Sequence, residues 1–358
     1  MNDHPALSRA DSFCRDYSLR VPILLAPMAG ACPPLLSAAV ANAGGLGACG
    51  ALLMQPGAIE VWVADFRARS NAGFQLNLWI PDPPPSRSES TEAAMRSFLA
   101  QWGPEVPPGA ADATPPDFSE QSNAVLNTRP NVISSIMGLY PAAFVERMHS
   151  QGTRWFATAT TVTEAKLAEA AGADVIVAQG MEAGGHRGAF EAQSAEVELV
   201  GLFSLLPAIV DAVRVPVVAT GGIGDSRGIA AALLLGASAV QIGTGFLRCP
   251  ESNIPSAWAD AIGHTLPEQT RLTRAFSGRV GRTIATKYVQ AASASSAPKP
   301  APYPVQRALT QRMRDTAIRE GDLERMQAWA GQSARLAPAK PASVLVRELW
   351  ESAQALLR

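Results

Sequence analysis

ADVIVAQGMEAGGHRG, residues 173–188, passes from an apolar, strand-like run (Ala173 to Ala178) into a loop carrying a glutamine, a glycine pair and a histidine. In an α/β barrel the hand-over from strand to loop is the catalytic face. Glycines let backbone approach a ligand closely, and a histidine among them titrates near neutral pH. Working outward, strand-like runs recur at Val21–Met28, Leu46–Leu53, Gly73–Ile80, Asn131–Gly138, Arg154–Val162, Val215–Thr220 and Ala239–Leu247. With the run before the loop they number eight, mostly separated by helix-like stretches. That alternation predicts an α/β fold, a (β/α)8 TIM barrel, rather than an open doubly wound sheet.

Composition agrees with one large core. The 358 residues are 47% apolar and 17% charged, and 30 basic residues face 31 acidic ones. A net charge near zero, without long runs of one sign, argues against nucleic acid or an anionic membrane as partner. Cys14, Cys32, Cys49 and Cys249 show no C-x-x-C spacing, which suggests free thiols in a reducing cytoplasm and neither a disulfide framework nor a metal site. The first twenty residues lack the apolar core of a signal peptide and read as a tail. The barrel is expected over 21–250, interrupted by a Pro-rich excursion at 81–130. A small insertion or lid follows at 251–302, and helices at 303–358 are expected to pad the outside of the barrel.

Polar residues at strand ends carry the chemistry. Gly184-Gly185, Gly221-Gly222-Ile223-Gly224 and Gly243-Thr244-Gly245 fall at three successive strand ends. Loops after the last two strands of a barrel often bind phosphate through backbone N–H groups, here with a helix dipole expected from the helix beginning at Asp225 and a hydroxyl from Thr244. The run is neither a Rossmann fingerprint nor a Walker A loop. Asn77, Gln179 and Gln241 each interrupt an apolar strand near its end, and an uncharged amide suits the edge of a heteroaromatic ring such as a flavin. Met28 could lie against that ring. His186 stands without a histidine cluster, so metal chelation is not expected. With no G-x-S-x-G present, a hydrolase triad is disfavoured. Glu182 is better suited to ordering the loop than to acid/base work.

Together, PILLAPMAG, GGLGACG, FQLNLW, QGMEAGGHRG, PVVATGGIGDSRGIAAALLLGASAVQIGTGFL, APYPVQ and WAGQSARL resemble the nitronate monooxygenases, FMN enzymes on a TIM barrel. The resemblance implies that Met28, Asn77, Gln179, Gly184 and Gly185 surround the isoalloxazine and ribityl chain. It implies that Gly221, Gly222, Gln241, Gly243 and Thr244 hold the phosphate, and that His186 faces the substrate. The implied reaction oxidises an alkyl nitronate, such as propionate 3-nitronate, with O2 to a carbonyl compound and nitrite. Lys287, Tyr288 and Tyr303 are secondary candidates for the substrate's far end. Some members carry a second histidine where this chain has Ile136 and Met137, a departure that points to a bulkier or less charged substrate than a small nitronate. Two alternatives stay open: an FMN-dependent NAD(P)H enoyl-thioester reductase, and a non-catalytic flavin-binding barrel. Monomer and homodimer are both compatible with the sequence.

Overall fold

The computed structural model describes residues 4–358. Eleven strands occur among them: β1 (Ile23–Leu25), β2 (Gly47–Gly50), β3 (Phe74–Trp79), β4 (Val132–Ile136), β5 (Arg154–Ala159), β6 (Val175–Gln179), β7 (Gly185–His186), β8 (Val217–Thr220), β9 (Ala239–Ile242), β10 (Thr270–Thr273) and β11 (Gly281–Ile284). Eight of them pair in parallel in the order β1-β9-β8-β6-β5-β4-β3-β2. A parallel bridge between Leu24 and Leu46 joins the two ends and closes the barrel. The expected (β/α)8 architecture is thus the observed one. Its strands are shorter than the apolar runs that announce them, because the run ends become loop.

Period-two alternation sorts these strands into layers. Leu24, Phe156, Val177, Val218 and Ala239 point inward and form one buried cluster at the barrel floor. Two residues further on, the same faces carry Ala26, Thr158, Gln179, Thr220 and Gln241, all lining a cavity at the C-terminal ends of the strands. The interior therefore changes from apolar to polar within one layer. The outward residues, among them Ile23, Leu25, Ile176, Ala178, Val217 and Ala219, pack against the surrounding helices.

The N-terminal segment differs from the expected tail: Pro5–Asp16 is a helix that buries Ala6, Leu7, Ala10, Phe13 and Cys14. Residues 1–3 lie outside the described residues. Phe13 enters the floor cluster, its ring 6.3 Å from that of Phe156 and 4.6 Å from that of Tyr17. An apolar face every third or fourth residue was present in the sequence, but the charges between obscured it. Phe13→Ala opens the floor of the barrel and should cost about 3–5 kcal/mol, measurable by denaturant unfolding.

The excursion at 81–130 folds into helices Glu89–Leu99 and Phe118–Asn127 with a short 3-10 turn at Pro108–Asp112. It packs back on the C-terminal part of the chain: Met95, Leu99, Val106 and Ala111 share a core with Phe276, Tyr288, Val305, Leu309 and Met313. The C-terminal helices also depart from simple padding. Only Ala342–Leu357 lies along the barrel wall, burying Leu345, Val346, Leu349 and Trp350 there. Val305–Leu309 and Gln311–Glu320 instead share a core with the excursion. Thr161 caps helix Val162–Ala170, its hydroxyl accepting from the Glu164 amide. The stretch from Pro255 to Arg282 is helical over Ser256–His264 and then forms β10, which pairs antiparallel with β11.

Candidate active site

The loop after β6 is held open by its own side chains. Gln179 Oε1 accepts from the Gly188 amide at 2.8 Å, and its Nε2 donates to the His186 carbonyl at 3.1 Å. Beneath, the buried Arg187 guanidinium donates to the Gln179 and Gly180 carbonyls at 3.2 and 3.0 Å. The Glu182 carboxylate accepts from the Leu202 amide at 3.0 Å, which is the ordering role foreseen for it. Gly185 and His186 then pair as β7 with Arg282 and Gly281 of β11. This tie to a small three-stranded sheet fixes the histidine's backbone, and it could not be foreseen from strand periodicity in a two-residue segment.

His186 sits between two indoles, with ring centroids 4.6 Å from Trp79 and 4.8 Å from Trp329. Its Nε2 lies 2.7 Å from Ser277 Oγ, and that hydroxyl in turn donates to the Arg279 carbonyl at 3.1 Å. Because serine has one proton and spends it on the carbonyl, the assignment that satisfies both bonds makes Nε2–H the donor and leaves the Nδ1 lone pair free. Burial, and then the charges of Arg307 and Arg279, push the imidazole down to about 3. The ring is therefore neutral at neutral pH. Of the two protonation states the sequence permits, the cavity without substrate selects one.

That shift has a consequence for stability. Between pH 6.5 and 3 the unfolded chain takes up a proton that folded His186 refuses, so stability is intact above 6.5 and falls as pH is lowered through this window. By pH 5 the loss should be about 2 kcal/mol. In histidine-resolved NMR the His186 signals should not titrate between pH 8 and 5, and His186→Gln should flatten the melting temperature over that range.

The remaining predicted residues converge on the same cavity, whose lining includes Met28, Asn77, Gln179, Gly184, Gly185, Gly221, Gly222, Gln241, Gly243 and Thr244. Asn77 Nδ2 donates to Ser134 Oγ at 3.0 Å, while its Oδ1 has no partner among the described residues. Gln241 Oε1 accepts from Gln75 Nε2 at 3.1 Å, which leaves the Gln241 Nε2 hydrogens uncommitted. Gln179, by contrast, has spent its acceptor on the loop and retains a single N–H. Met28 Sδ comes within 3.3 Å of where a Cβ on Gly243 would be, so the glycine leaves the sulfur room beside the strand end.

Gly221 and Gly222 both have positive φ, 100° and 72°. A turn of this kind leaves successive backbone amides open, the groups from which anion-binding concavities are built. The amides of Gly222, Ile223 and Gly224 find no acceptor among the described residues. Thr244 Oγ1 accepts from the Gly331 amide at 3.0 Å and so keeps its hydroxyl proton to give. The expected helix dipole is not available, however. The Asp225 carboxylate accepts from the Arg227 and Gly228 amides of its own helix, satisfying that N-terminus internally.

Lys287 and Tyr288 do not reach the cavity. The Tyr288 ring is fully buried against Phe276 and its hydroxyl donates to the Ala275 carbonyl at 3.0 Å, whereas the Lys287 amine is exposed, 4.0 Å from Glu324. Tyr303 is closer, its ring tilted against that of Trp79 with centroids 5.3 Å apart. Ile136 lines the cavity where the resemblance offers a histidine in other members. Ser134 and Ser135 do not replace it, since they are engaged by Asn77 and by Trp155 Nε1. Trp79, Trp258, Trp329 and Ser333 also line the cavity and were not singled out. The signal was present in FQLNLW and WAGQSARL, but a single tryptophan or serine carries no local pattern that points to a site.

A glycine-built turn with open amides thus stands beside uncommitted side-chain amides and a neutral histidine. The nitronate monooxygenase family profile matches residues 12–352. The chain belongs to the nitronate monooxygenase family. It is accordingly a flavin-dependent oxidoreductase. A probable nitronate monooxygenase from Staphylococcus aureus (strain MSSA476) is 35% identical over 335 residues, covering 93% of this chain and 94% of that protein. The structure of nitroalkane oxidase from Streptomyces ansochromogenes superposes with a TM-score of 0.86 at 33% identity, covering 96% and 99% of the two chains. FabK from Thermotoga maritima shares the architecture at 26% identity with a TM-score of 0.75, covering 97% and 96%. Among the described residues no helix is long and apolar enough to cross a membrane.

Proposed function

We propose that this family member binds FMN at the C-terminal ends of the barrel strands and oxidises alkyl nitronates, such as propionate 3-nitronate, with O2 to a carbonyl compound and nitrite, in the cytoplasm. The observation that carries the reading is the set of unpaired groups around one cavity: two open amides at Gly222 and Ile223, the free Thr244 hydroxyl proton, Asn77 Oδ1 and Gln241 Nε2. A phosphate suits the amides and hydroxyl, and the hydrogen-bonding edge of a flavin suits the amides of the side chains. Gly185 supports the same fit, because no atom lies within 4 Å of the place its Cβ would take. FMN, when bound, supplies the redox chemistry.

The chain's own residues then orient and hold the substrate. Trp79 and Trp329 wall the space around His186 and exclude water from it. The neutral imidazole offers Nδ1 as an acceptor, so a nitroalkane could surrender its α-proton to it. An anionic nitronate docking there favours the protonated ring, since an adjacent negative charge raises a histidine pKa. Nitronate binding should therefore be accompanied by uptake of a proton near neutral pH.

The test combines cofactor and turnover. Gentle denaturation of the purified protein should release FMN, identified by mass, and aerobic addition of propionate 3-nitronate should yield nitrite as O2 is consumed. Release of another flavin would remove the phosphate assignment, and absence of nitrite would remove the reaction. The enoyl-thioester alternative predicts consumption of NADPH with crotonyl thioester in the same preparation.

A further inference from the structure

Tyr303, whose ring packs on Trp79 beside His186, also lines a second cavity of about 370 Å³. Its walls come from the excursion (Pro107, Ala110, Ala113, Pro115, Pro116), from Leu53, and from the face of the C-terminal helices that carries Pro304 and Ala308. Most of this surface is apolar. The charged residues at its edge are Arg307 and Arg312, and no acid lines it.

Arg307 is the informative one. It spends its backbone carbonyl on Thr310 Oγ1 and Arg314 Nη2, but its guanidinium finds no hydrogen-bond or ion-pair partner among the described residues. Asp315 acts on it from beyond ion-pair distance and is itself held by Gln311 Nε2 at 2.7 Å. Arg312, by contrast, is engaged with the Glu105 carbonyl at 2.9 Å. The positive charge of Arg307 is felt at His186, where it is the largest charge effect on the ring. A partly buried, unpaired guanidinium is matched by a planar anion with two oxygens, a shape that nitronates and carboxylates share.

We infer that the second cavity is the tail subsite of the same active site: it takes the unbranched aliphatic chain of a medium-chain nitronate whose anionic head lies between Arg307 and His186. This rests on the nitronate reading above and adds to it a substrate class, alkyl nitronates of about six to eight carbons rather than the shortest ones. A small substrate would leave the apolar walls wet. A chain of this length replaces that water, and each methylene buried is worth about fourfold in affinity at most.

Carboxylates test the cavity without turnover. Calorimetry on the flavin-loaded full-length protein should find octanoate at least tenfold tighter than butanoate. Arg307→Gln should weaken octanoate at least tenfold while octan-1-ol is little affected. Ala113→Phe, on an exposed loop, should fill the cavity and reduce the octanoate-to-butanoate ratio below threefold, and Thr114→Trp serves as an independent filling variant should the first misfold. Equal affinities for the two carboxylates in the wild type, or a ratio that survives both filling variants, would overturn the proposal. Nitrite release from the nitronates of nitroethane and 1-nitrooctane, assayed alongside, separates the two ideas. Nitrite from the short nitronate with no gain for octanoate rejects the tail subsite alone. The carboxylate pattern without nitrite from either nitronate supports the cavity and rejects the reaction.

Discussion

Gly184→Val is expected to yield a folded barrel that retains FMN at least a hundredfold more weakly than the wild type. A Cβ at this position would stand 2.5 Å from the Gly331 amide nitrogen and 2.7 Å from the Ala330 carbonyl carbon, both backbone, and 2.9 Å from Thr244 Oγ1. Contacts under 3 Å with backbone cannot be relieved by rotating a side chain, so the segment Ala330–Ser333 must move. That segment holds the Thr244 hydroxyl in place through the Gly331 amide and reaches the Gly222 carbonyl through Ser333 Oγ. The substitution therefore disturbs both sides of the proposed phosphate cradle at once, whereas the barrel floor around Phe13 and Phe156 is remote from it. Equilibrium dialysis with FMN, accompanied by circular dichroism to verify folding, measures the effect. Wild-type affinity in Gly184→Val would show that the C-terminal segment does not shape the cofactor site.

His186→Asn should act in the opposite manner, keeping the flavin and losing the rate. The backbone of residue 186 is fixed by β11 and by Gln179 Nε2, neither of which involves the imidazole, so the loop should keep its shape. What disappears is the ring whose Nε2 is anchored on Ser277 and whose Nδ1 keeps a free lone pair. Loss of a positioned acid/base group lowers turnover by about 10² to 10⁴, and the lower end is expected with a nitronate, which has already lost the proton a neutral imidazole would remove, so that only the ring's hold on the anion is missing. Steady-state kinetics with a nitronate, together with the visible flavin spectrum, tests this. An unchanged kcat with flavin bound would leave His186 as a wall of the cavity and favour a binding role for the protein.

The two substitutions also mark what the sequence made legible. Gly184, Gly221 and His186 announce themselves because glycines and a histidine at strand ends break an apolar pattern that otherwise repeats every two residues. Gln179 and Gln241 were visible for the same reason, yet the division of labour between them was not. Only the folded loop shows that Gln179 is occupied with Gly188 and His186 while Gln241 keeps its donors free. Asp225 was read as the start of a helix open to phosphate, whereas its short carboxylate folds back on its own helix amides. Cap geometry turns on one side-chain torsion that residue type does not specify. Trp329 and Ser333 lie more than 140 positions from His186 in the chain, and their arrival at the cavity depends on how the excursion at 81–130 and the C-terminal helices share a core. Such long-range packing has no period to read.

The most direct test of the central claim is anaerobic mixing of the FMN-loaded protein with propionate 3-nitronate and, separately, with NADPH. The account predicts rapid bleaching of the visible flavin band by the nitronate, colour returning when air is admitted, and no comparable change with NADPH. Bleaching by NADPH while the nitronate leaves the band untouched would contradict it.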